Sequence, residues 1–329
     1  MRRTLGHSGI EVSAMGLGCW AIGGPFLFDG KPDGWGRVDD AESIRAIQTA
    51  IDLGVTFFDT ADVYGTGHSE RVLGEAIRGR RDQVVIATKF GYTYDESAKE
   101  ITGTDVSPGY IRRACEASLR RLQVNEIDLY QLHPGEAPAE REDDIWAVLE
   151  DLKAEGKIRA YGWSLGSAEA AERFARNTSG VSIQHSAHIF HDPKDLFDAA
   201  ERHGLANVIN SPLAMGLLTG KFTADSQLPA DDVRAAGHSW VPFFEGGRPV
   251  PGFLAQLDAV REILRSGGRT LAQGALAYLW ARSERAIPIP GFKSVKQAEE
   301  NAGAMAFGPL SPEQVEEIRS IVDGMVKAS

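Results

Sequence analysis

The chain is predicted to fold as a (β/α)8 TIM barrel, and three observations carry that expectation. Eight short apolar runs alternate with amphipathic helical stretches along 329 residues, the order expected when parallel strands are buried on both faces and helices make the crossovers. No low-complexity segment or long linker divides the chain, so residues 1–329 read as a single domain. The alternative, an open doubly wound sheet, lacks its phosphate-binding signature. Gly16-Leu17-Gly18 runs into Cys19-Trp20-Ala21 with no third glycine in register.

The elements follow in order. Arg2–Val12, with a Ser8-Gly9 turn, reads as an N-terminal hairpin closing the barrel end opposite the strand C-termini. Met15–Cys19 is the first strand. Asp39 and Asp40 start a helix through Leu53, which Gly54 stops. Val55–Asp59 is the second strand, followed by a helix over Ser69–Arg78 that ends at Gly79. Val84–Lys89 is the third, and Tyr92–Asp105 after it reads as a polar loop. Ser107-Pro108 supplies an N-cap and a first-turn proline for a helix running to Leu122. Ile127–His133 is the fourth strand, and the helix Glu142–Glu155 ends at Gly156. Strands Ile158–Ser164, Val181–His185 and Ala206–Asn210 alternate with helices Ser167–Asn177 and Asp192–His203. A long loop over Thr223–Phe253 is rich in proline, glycine and aromatic residues. Helix Thr270–Ser283, strand Ala286–Pro290 and helices Val295–Ala304 and Ser311–Val326 complete the pattern. Long loops at the C-terminal face of a barrel usually carry function.

Composition narrows the function. Hydrophobic residues make up 43% and charged residues 25%, ordinary for a globular protein. A net charge of −11 leaves no basic surplus for nucleic acid or an anionic membrane. No apolar run reaches the roughly 18 residues of a membrane span. Met1-Arg2-Arg3-Thr4-Leu5-Gly6 lacks the apolar core of a signal peptide, so the expected location is cytoplasmic. The two cysteines, Cys19 and Cys115, are too few for a disulfide framework or zinc site and read as small buried hydrophobes. Gln184–His191 is rich in histidine, but strand alternation puts His185 and His188 on opposite sides, and no metal is expected. No heptad or repeated pattern specifies an oligomeric state.

Three consecutive strand ends deliver Asp59, Lys89 and His133, and Tyr64 lies on the loop just past Asp59. Strand C-terminal ends share one face of a parallel barrel, so the four converge without sequence proximity. Singly, an Asp or Lys there is most often a solvated rim residue and a Tyr a packing residue; their succession raises the joint reading. A lysine beside a tyrosine lowers the phenol's pKa, and Asp59 would hold Lys89 in place. Tyr64 would then act as a general acid, and His133 would donate to a carbonyl oxygen. Spacing alone also fits an aldolase-like lysine or a hydrolytic acid/base pair.

The segment Phe58-Asp59-Thr60-Ala61-Asp62-x-Tyr64-Gly65-x-Gly67-x-Ser69-Glu70-x-x-Leu73-Gly74 resembles the aldo-keto reductase motif. So do Ala87-Thr88-Lys89, Asp128-Leu129-Tyr130-x-x-His133, Ser211-Pro212-Leu213-x-x-Gly216-Leu217-Leu218-Thr219-Gly220-Lys221 and Ile289-Pro290-Gly291. The matches run in order from Leu17-Gly18 to Glu300-Asn301, and the long tyrosine motif is similar to bacterial members and the related potassium-channel β subunits. The resemblance implies a barrel that binds NADPH across its C-terminal face and reduces an aldehyde or sugar-like carbonyl reversibly. Asp59, Tyr64, Lys89 and His133 would be catalytic, with the hydride from nicotinamide C4 and the proton from Tyr64. The other reading the resemblance allows is an NADPH-binding regulatory subunit.

Carried over by position, Cys19, Trp20 and Asp59 would contact the cofactor at the first two strand ends, and Ser164 and Gln184 would hold the carboxamide. Leu165 stands where the family usually has asparagine, and Asn210 where an aromatic often stacks on the nicotinamide, a place Trp20 or Trp163 could fill. Ser211, Leu213, Gly216 and Lys221 would wrap the pyrophosphate. Gly291, Lys293, Gln297, Glu300 and Asn301 would take the adenosine end, with Lys293 near a 2′-phosphate at a helix N-terminus. Trp20, Tyr64, His133 and Trp163 are the expected substrate contacts. Phe26, Trp35, Tyr92, Trp240 and Phe243 are further candidate walls, and Lys31, Arg37, Arg159 and His185 candidate polar groups. The partner is a small molecule, not nucleic acid or a membrane.

Overall fold

In the computed structural model, which describes the backbone of residues 1–328 and side chains of residues 1–325, eight parallel strands pair in chain order. They are β1 (Gly16–Gly18), β2 (Phe57–Asp59), β3 (Val85–Phe90), β4 (Ile127–Leu132), β5 (Ile158–Ser164), β6 (Ser182–Ser186), β7 (Ala206–Asn210) and β8 (Ala286–Pro288). The ring closes where the Gly18 amide donates to the Pro290 carbonyl at 3.0 Å and Gly18 bridges Gly291. A Cβ on Gly18 would stand 2.8 Å from the Ile289 carbonyl oxygen, so closure at this distance needs glycine.

The helices are α1 (Asp40–Asp52), α2 (His68–Ala76), α3 (Pro108–Leu122), α4 (Ala139–Ala154), α5 (Ala168–Asn177), α6 (Lys194–His203), α7 (Pro251–Leu264), α8 (Leu271–Arg282), α9 (Val295–Gly303) and α10 (Pro312–Ala328). Their starts follow local chemistry. The Asp39 carboxylate accepts from the Glu42 amide, Ser107 caps α3 ahead of Pro108, and Thr270 with Gln273 forms a reciprocal capping box on α8. No helix among the described residues is long and apolar enough to cross a membrane.

Two apolar cores result. One lies between strands and helices, with Tyr161, Trp163 and Leu165 of the β5 segment among its members. The other fills the barrel, where Val85, Ala87, Leu129, Ala160 and Val208 meet Leu5, Ile10 and Val12. The latter three come from the N-terminal hairpin Arg2–Thr4/Glu11–Ser13, which plugs the barrel floor as the sequence predicts. Water is thereby kept from the interior below the site.

Three segments differ from expectation. Tyr92–Asp105 is not a plain loop: Tyr92–Asp95 and Glu100–Thr104 pair antiparallel, and the latter continues onto Leu27–Phe28. Its β-formers, Tyr92, Thr93, Tyr94, Ile101 and Thr102, lie in strands too short to stand out from the polar turn between them. The loop expected to end at Phe253 gives way at Pro251 to α7, which buries Leu257, Val260 and Leu264. Proline at the first helical position was its local signal. Helix α4 starts at Ala139, three residues before the expected Glu142.

Candidate active site

Asp59 ends β2, Lys89 lies on β3, and His133 follows β4 directly, so three neighbouring strands present them at one rim. The loop carrying Tyr64 is held under the rim by Ser69, whose hydroxyl donates to the Cys19 carbonyl at 2.7 Å. Gly65 makes the approach possible: its φ is 60°, and a Cβ there would fall 1.8 Å from the Gly23 carbonyl oxygen.

Lys89 is fully buried, and each of its three ammonium protons has an acceptor: the Asp59 carboxylate, the Thr60 carbonyl at 2.9 Å and the Tyr64 hydroxyl at 3.4 Å. The other Asp59 oxygen accepts from Gln131 Nε2 at 3.0 Å and Gln184 Nε2 at 2.9 Å. The ion pair is thus buried with its remaining lone pairs satisfied, the condition under which such a pair is tolerated. Because Tyr64 accepts from Lys89, its own proton is left to point elsewhere.

Electrostatics set the protonation states. The expectation that Lys89 lowers the Tyr64 pKa below its ordinary value is corrected: burial outweighs the lysine and pushes it up to about 12. Tyr64 is therefore a neutral phenol near pH 7, with a proton to give. Burial opposes charge on Lys89, but Asp59 and Tyr64 overcome it and the pKa is raised. Burial, then Lys89, drives the His133 pKa well below its ordinary value. His133 is neutral, and its buried Nδ1 has no partner among the described residues. The three rings cluster, with Tyr64 edge-on to His133 at 5.7 Å and Trp20 stacked against Tyr64 at 6.1 Å.

These groups form the base of a cavity of about 860 Å³. Every residue expected to touch a cofactor lines it. Cys19, Trp20, Asp59, Ser164 and Gln184 lie around the catalytic group; Asn210, Ser211, Leu213, Gly216 and Lys221 follow β7; Gly291, Lys293, Gln297, Glu300 and Asn301 follow β8. The turn after β7 is unusual. Ser211, Ala214 and Met215 hold φ of 51°, 47° and 56°. Non-glycine residues in that region cost energy and cluster at functional sites.

The cavity fits a phosphate-bearing ligand at one end, where Lys221, Arg234 and Lys293 converge. Burial, then Arg234, lowers the Lys221 pKa, and burial lowers that of Lys293, so a bound anion would relieve both. The α9 N-terminus is partly committed. Glu42 accepts from the Val295 amide at 2.8 Å, and Lys293 Nζ donates to the Trp35 and Arg37 carbonyls at 2.7 and 2.9 Å.

Several expected substrate residues do not reach the cavity. Trp163 is the main correction: it is fully buried, donates from Nε1 to the Pro134 carbonyl at 2.8 Å and packs on Trp146 in the outer core. It does not line the cavity, so its expected place beside a substrate or nicotinamide is not available to it. Arg159 pairs with Asp128 at 2.7 Å near the strand starts, and His185 bonds Asn207 at 3.0 Å in the outer layer. Phe26, Lys31 and Arg37 also lie off the cavity wall, whereas Trp20, Tyr64, His133, Trp35, Tyr92, Trp240 and Phe243 line it. Sequence reading missed two charged wall residues, Arg234 and Asp33. Arg234 is nearly buried, clamped by Asp232 at 2.6 Å, with its guanidinium 4.5 Å from the Trp35 ring. An Asp-x-Arg pair in an aromatic loop was its only trace. Among the described residues, no group of three or more potential ligands is placed to hold a metal.

His188 also lines the cavity, and burial lowers its pKa to about 3, aided by His191. A folded pKa below the unfolded value means its stabilising share is complete above pH 6.5 and is lost as pH falls toward 3. The unfolding free energies of the parent and His188→Gln should therefore converge on acidification, by up to about 1.4 kcal/mol per pH unit below 6.5. Urea denaturation at pH 7, 6 and 5 measures this; a constant difference would contradict it.

Comparison with known proteins fits this geometry. Residues 14–323 match the model of the Aldo/keto reductase family. The chain is 32% identical over 323 residues to the NADP(+) aldo-keto reductase yakc of Schizosaccharomyces pombe, covering 95% of this chain and 89% of that protein. Among solved structures, the glycerol dehydrogenase from Gluconobacter oxydans is similar with a TM-score of 0.82 and 29% identity, covering 99% of this chain and 96% of that one. An aldo-keto reductase from Klebsiella pneumoniae in complex with NADPH is similar with a TM-score of 0.71 and 26% identity, covering 98% and 95%. With the Asp59–Tyr64–Lys89–His133 group at the mouth of a closed barrel and a family match across nearly its whole length, the chain belongs to the aldo/keto reductase family.

Proposed function

We propose that the protein is an NADPH-dependent reductase of aldehydes or sugar-like carbonyls, working reversibly. The observation that carries this is the bonding at Tyr64, a neutral phenol that accepts from Lys89 and keeps its proton available at the cavity base. Bound along the cavity, NADPH would supply the hydride. Ser164 and Asn210 would face its nicotinamide end and Lys221, Arg234 and Lys293 its phosphates, in keeping with the NADP(+) and NADPH named for the yeast and Klebsiella relatives. Gln184 shares its amide with Asp59 and so ties the cofactor wall to the catalytic pair.

As negative charge grows on the carbonyl oxygen, Tyr64 gives its proton, and Lys89 stabilises the phenolate left behind. Asp59 keeps Lys89 in place. A neutral His133 can donate its single N–H to the same oxygen without adding a second positive charge beside Lys89. The apolar plug of the barrel floor closes the side of the site away from the cavity mouth.

Protein mixed with NADPH and a panel of aldehydes and aldoses should consume the reduced cofactor, read by its absorbance. Tight NADPH binding with no turnover of any carbonyl would overturn the enzyme reading in favour of a binding subunit.

A further inference from the structure

The segment after β1 holds a carboxylic acid that the proposed chemistry does not use. Asp33 lines the same cavity as Tyr64 and His133, yet only 9% of it is exposed. Its backbone is fixed at both polar atoms: its amide donates to Phe26 O at 2.9 Å, and its carbonyl accepts from Trp20 Nε1 at 3.0 Å. The residue is thereby held at the cavity wall. Its Oδ1 is buried with no hydrogen-bond partner among the described residues. The nearest cation candidate, His238 Nε2, stands 3.7 Å away and instead donates to the Pro32 carbonyl at 2.9 Å.

A largely desolvated carboxyl without a partner is costly, so a fold that retains one on the wall of a ligand cavity points to a bonding group on the ligand, which the carboxyl's less buried oxygen would meet. The nearby wall is aromatic. Trp20 packs tilted against Trp240 at 5.9 Å, and Tyr92 lies edge-on to His133 at 5.1 Å. Such rings suit the C–H faces of a short hydroxylated carbon chain, with Asp33 as the polar contact. Burial raises the Asp33 pKa to about 7, so near neutrality both its forms are populated. A hydroxyl can pair with either: it donates to the carboxylate and accepts from the acid.

We propose that Asp33 determines specificity, its carboxyl pairing with a hydroxyl on the substrate's carbon chain and selecting hydroxylated carbonyls over their deoxy counterparts. The inference rests on the carbonyl-reductase reading for its substrate, but its contact can be tested without turnover.

Two measurements decide it. The ratio of kcat/KM for glyceraldehyde to that for propanal should favour glyceraldehyde in the parent. It should fall roughly 10- to 100-fold in Asp33→Leu, which removes both donor and acceptor, and much less in Asp33→Asn, which keeps them. Saturation-transfer NMR with NADP+ present should show glycerol bound to the parent more strongly than 1-propanol, and that preference lost in Asp33→Leu. A parent with no preference for the hydroxylated compound in either measurement would overturn the proposal, as would a ratio unchanged in Asp33→Leu. Stronger binding of 3-amino-1-propanol than of glycerol would also overturn it, marking a cation site. Should Asp33→Leu fail to fold, Asp33→Ala, which also lacks donor and acceptor, takes its place in both measurements with the same expected and overturning results. Failure of turnover with every carbonyl of the panel, alongside selective glycerol binding, would sink the reductase reading and leave the contact standing.

Discussion

Tyr64→Phe should lower kcat for carbonyl reduction by about 10²- to 10⁴-fold, the range a positioned general acid contributes. Cofactor affinity should barely move. The substitution removes one hydroxyl and nothing else: the ring can keep its stacking on Trp20 and its edge contact with His133. Lys89 retains Asp59 and the Thr60 carbonyl as acceptors. The loss should therefore fall on kcat, with NADPH titration by fluorescence unchanged. Steady-state kinetics with any aldehyde the parent turns over provides the measurement, and an unchanged kcat would remove Tyr64 from the role of acid.

Asp59→Asn should destabilise the fold by about 3–5 kcal/mol and abolish most activity, because it strands the Lys89 ammonium in a fully buried site. The asparagine amide would also bring donors toward Gln131 and Gln184, whose own amides now point at the carboxylate. Removing both charges, as Asp59→Asn with Lys89→Met, should cost less than the sum of the two single changes, since neither charge is then left alone. Chemical denaturation of the four proteins measures the coupling. Single-variant losses within about 0.5 kcal/mol, the range of ordinary surface changes, would refute the buried-pair argument.

Some misreadings were avoidable from local pattern. On β5, side chains alternate, and Ser164 faces the cavity while Trp163 faces the helices. Both could never have reached the mouth together, so placing Ser164 on the cofactor already excluded Trp163 from the substrate. The same alternation on β6 sends Gln184 inward to Asp59 and His185 outward against Phe197. The helix at Pro251 was masked for a different reason: its proline and the aromatic loop before it read as one irregular stretch.

Other features had no local trace. The Tyr64 pKa depends on a competition between burial and a lysine 25 residues away in sequence, and the burial is supplied by walls from every part of the chain. Nothing beside Asp33 in the chain marks it. It stands on the cavity wall because Trp20 and Phe26 hold its backbone there, and its buried Oδ1 stays unpaired while His238, 205 residues further on, bonds Pro32.

Barrel order and the convergence of Asp59, Lys89 and His133 could be read from the residues alone, because parallel strands in sequence order put their C-terminal ends on one rim. That rule depends on chain direction and alternation, both local properties. Which protonation state each group adopts, which aromatic reaches the substrate, and which carboxyl is left without a partner depend on desolvation and on contacts between distant segments. Those were decided only when the barrel closed and its loops packed over the mouth.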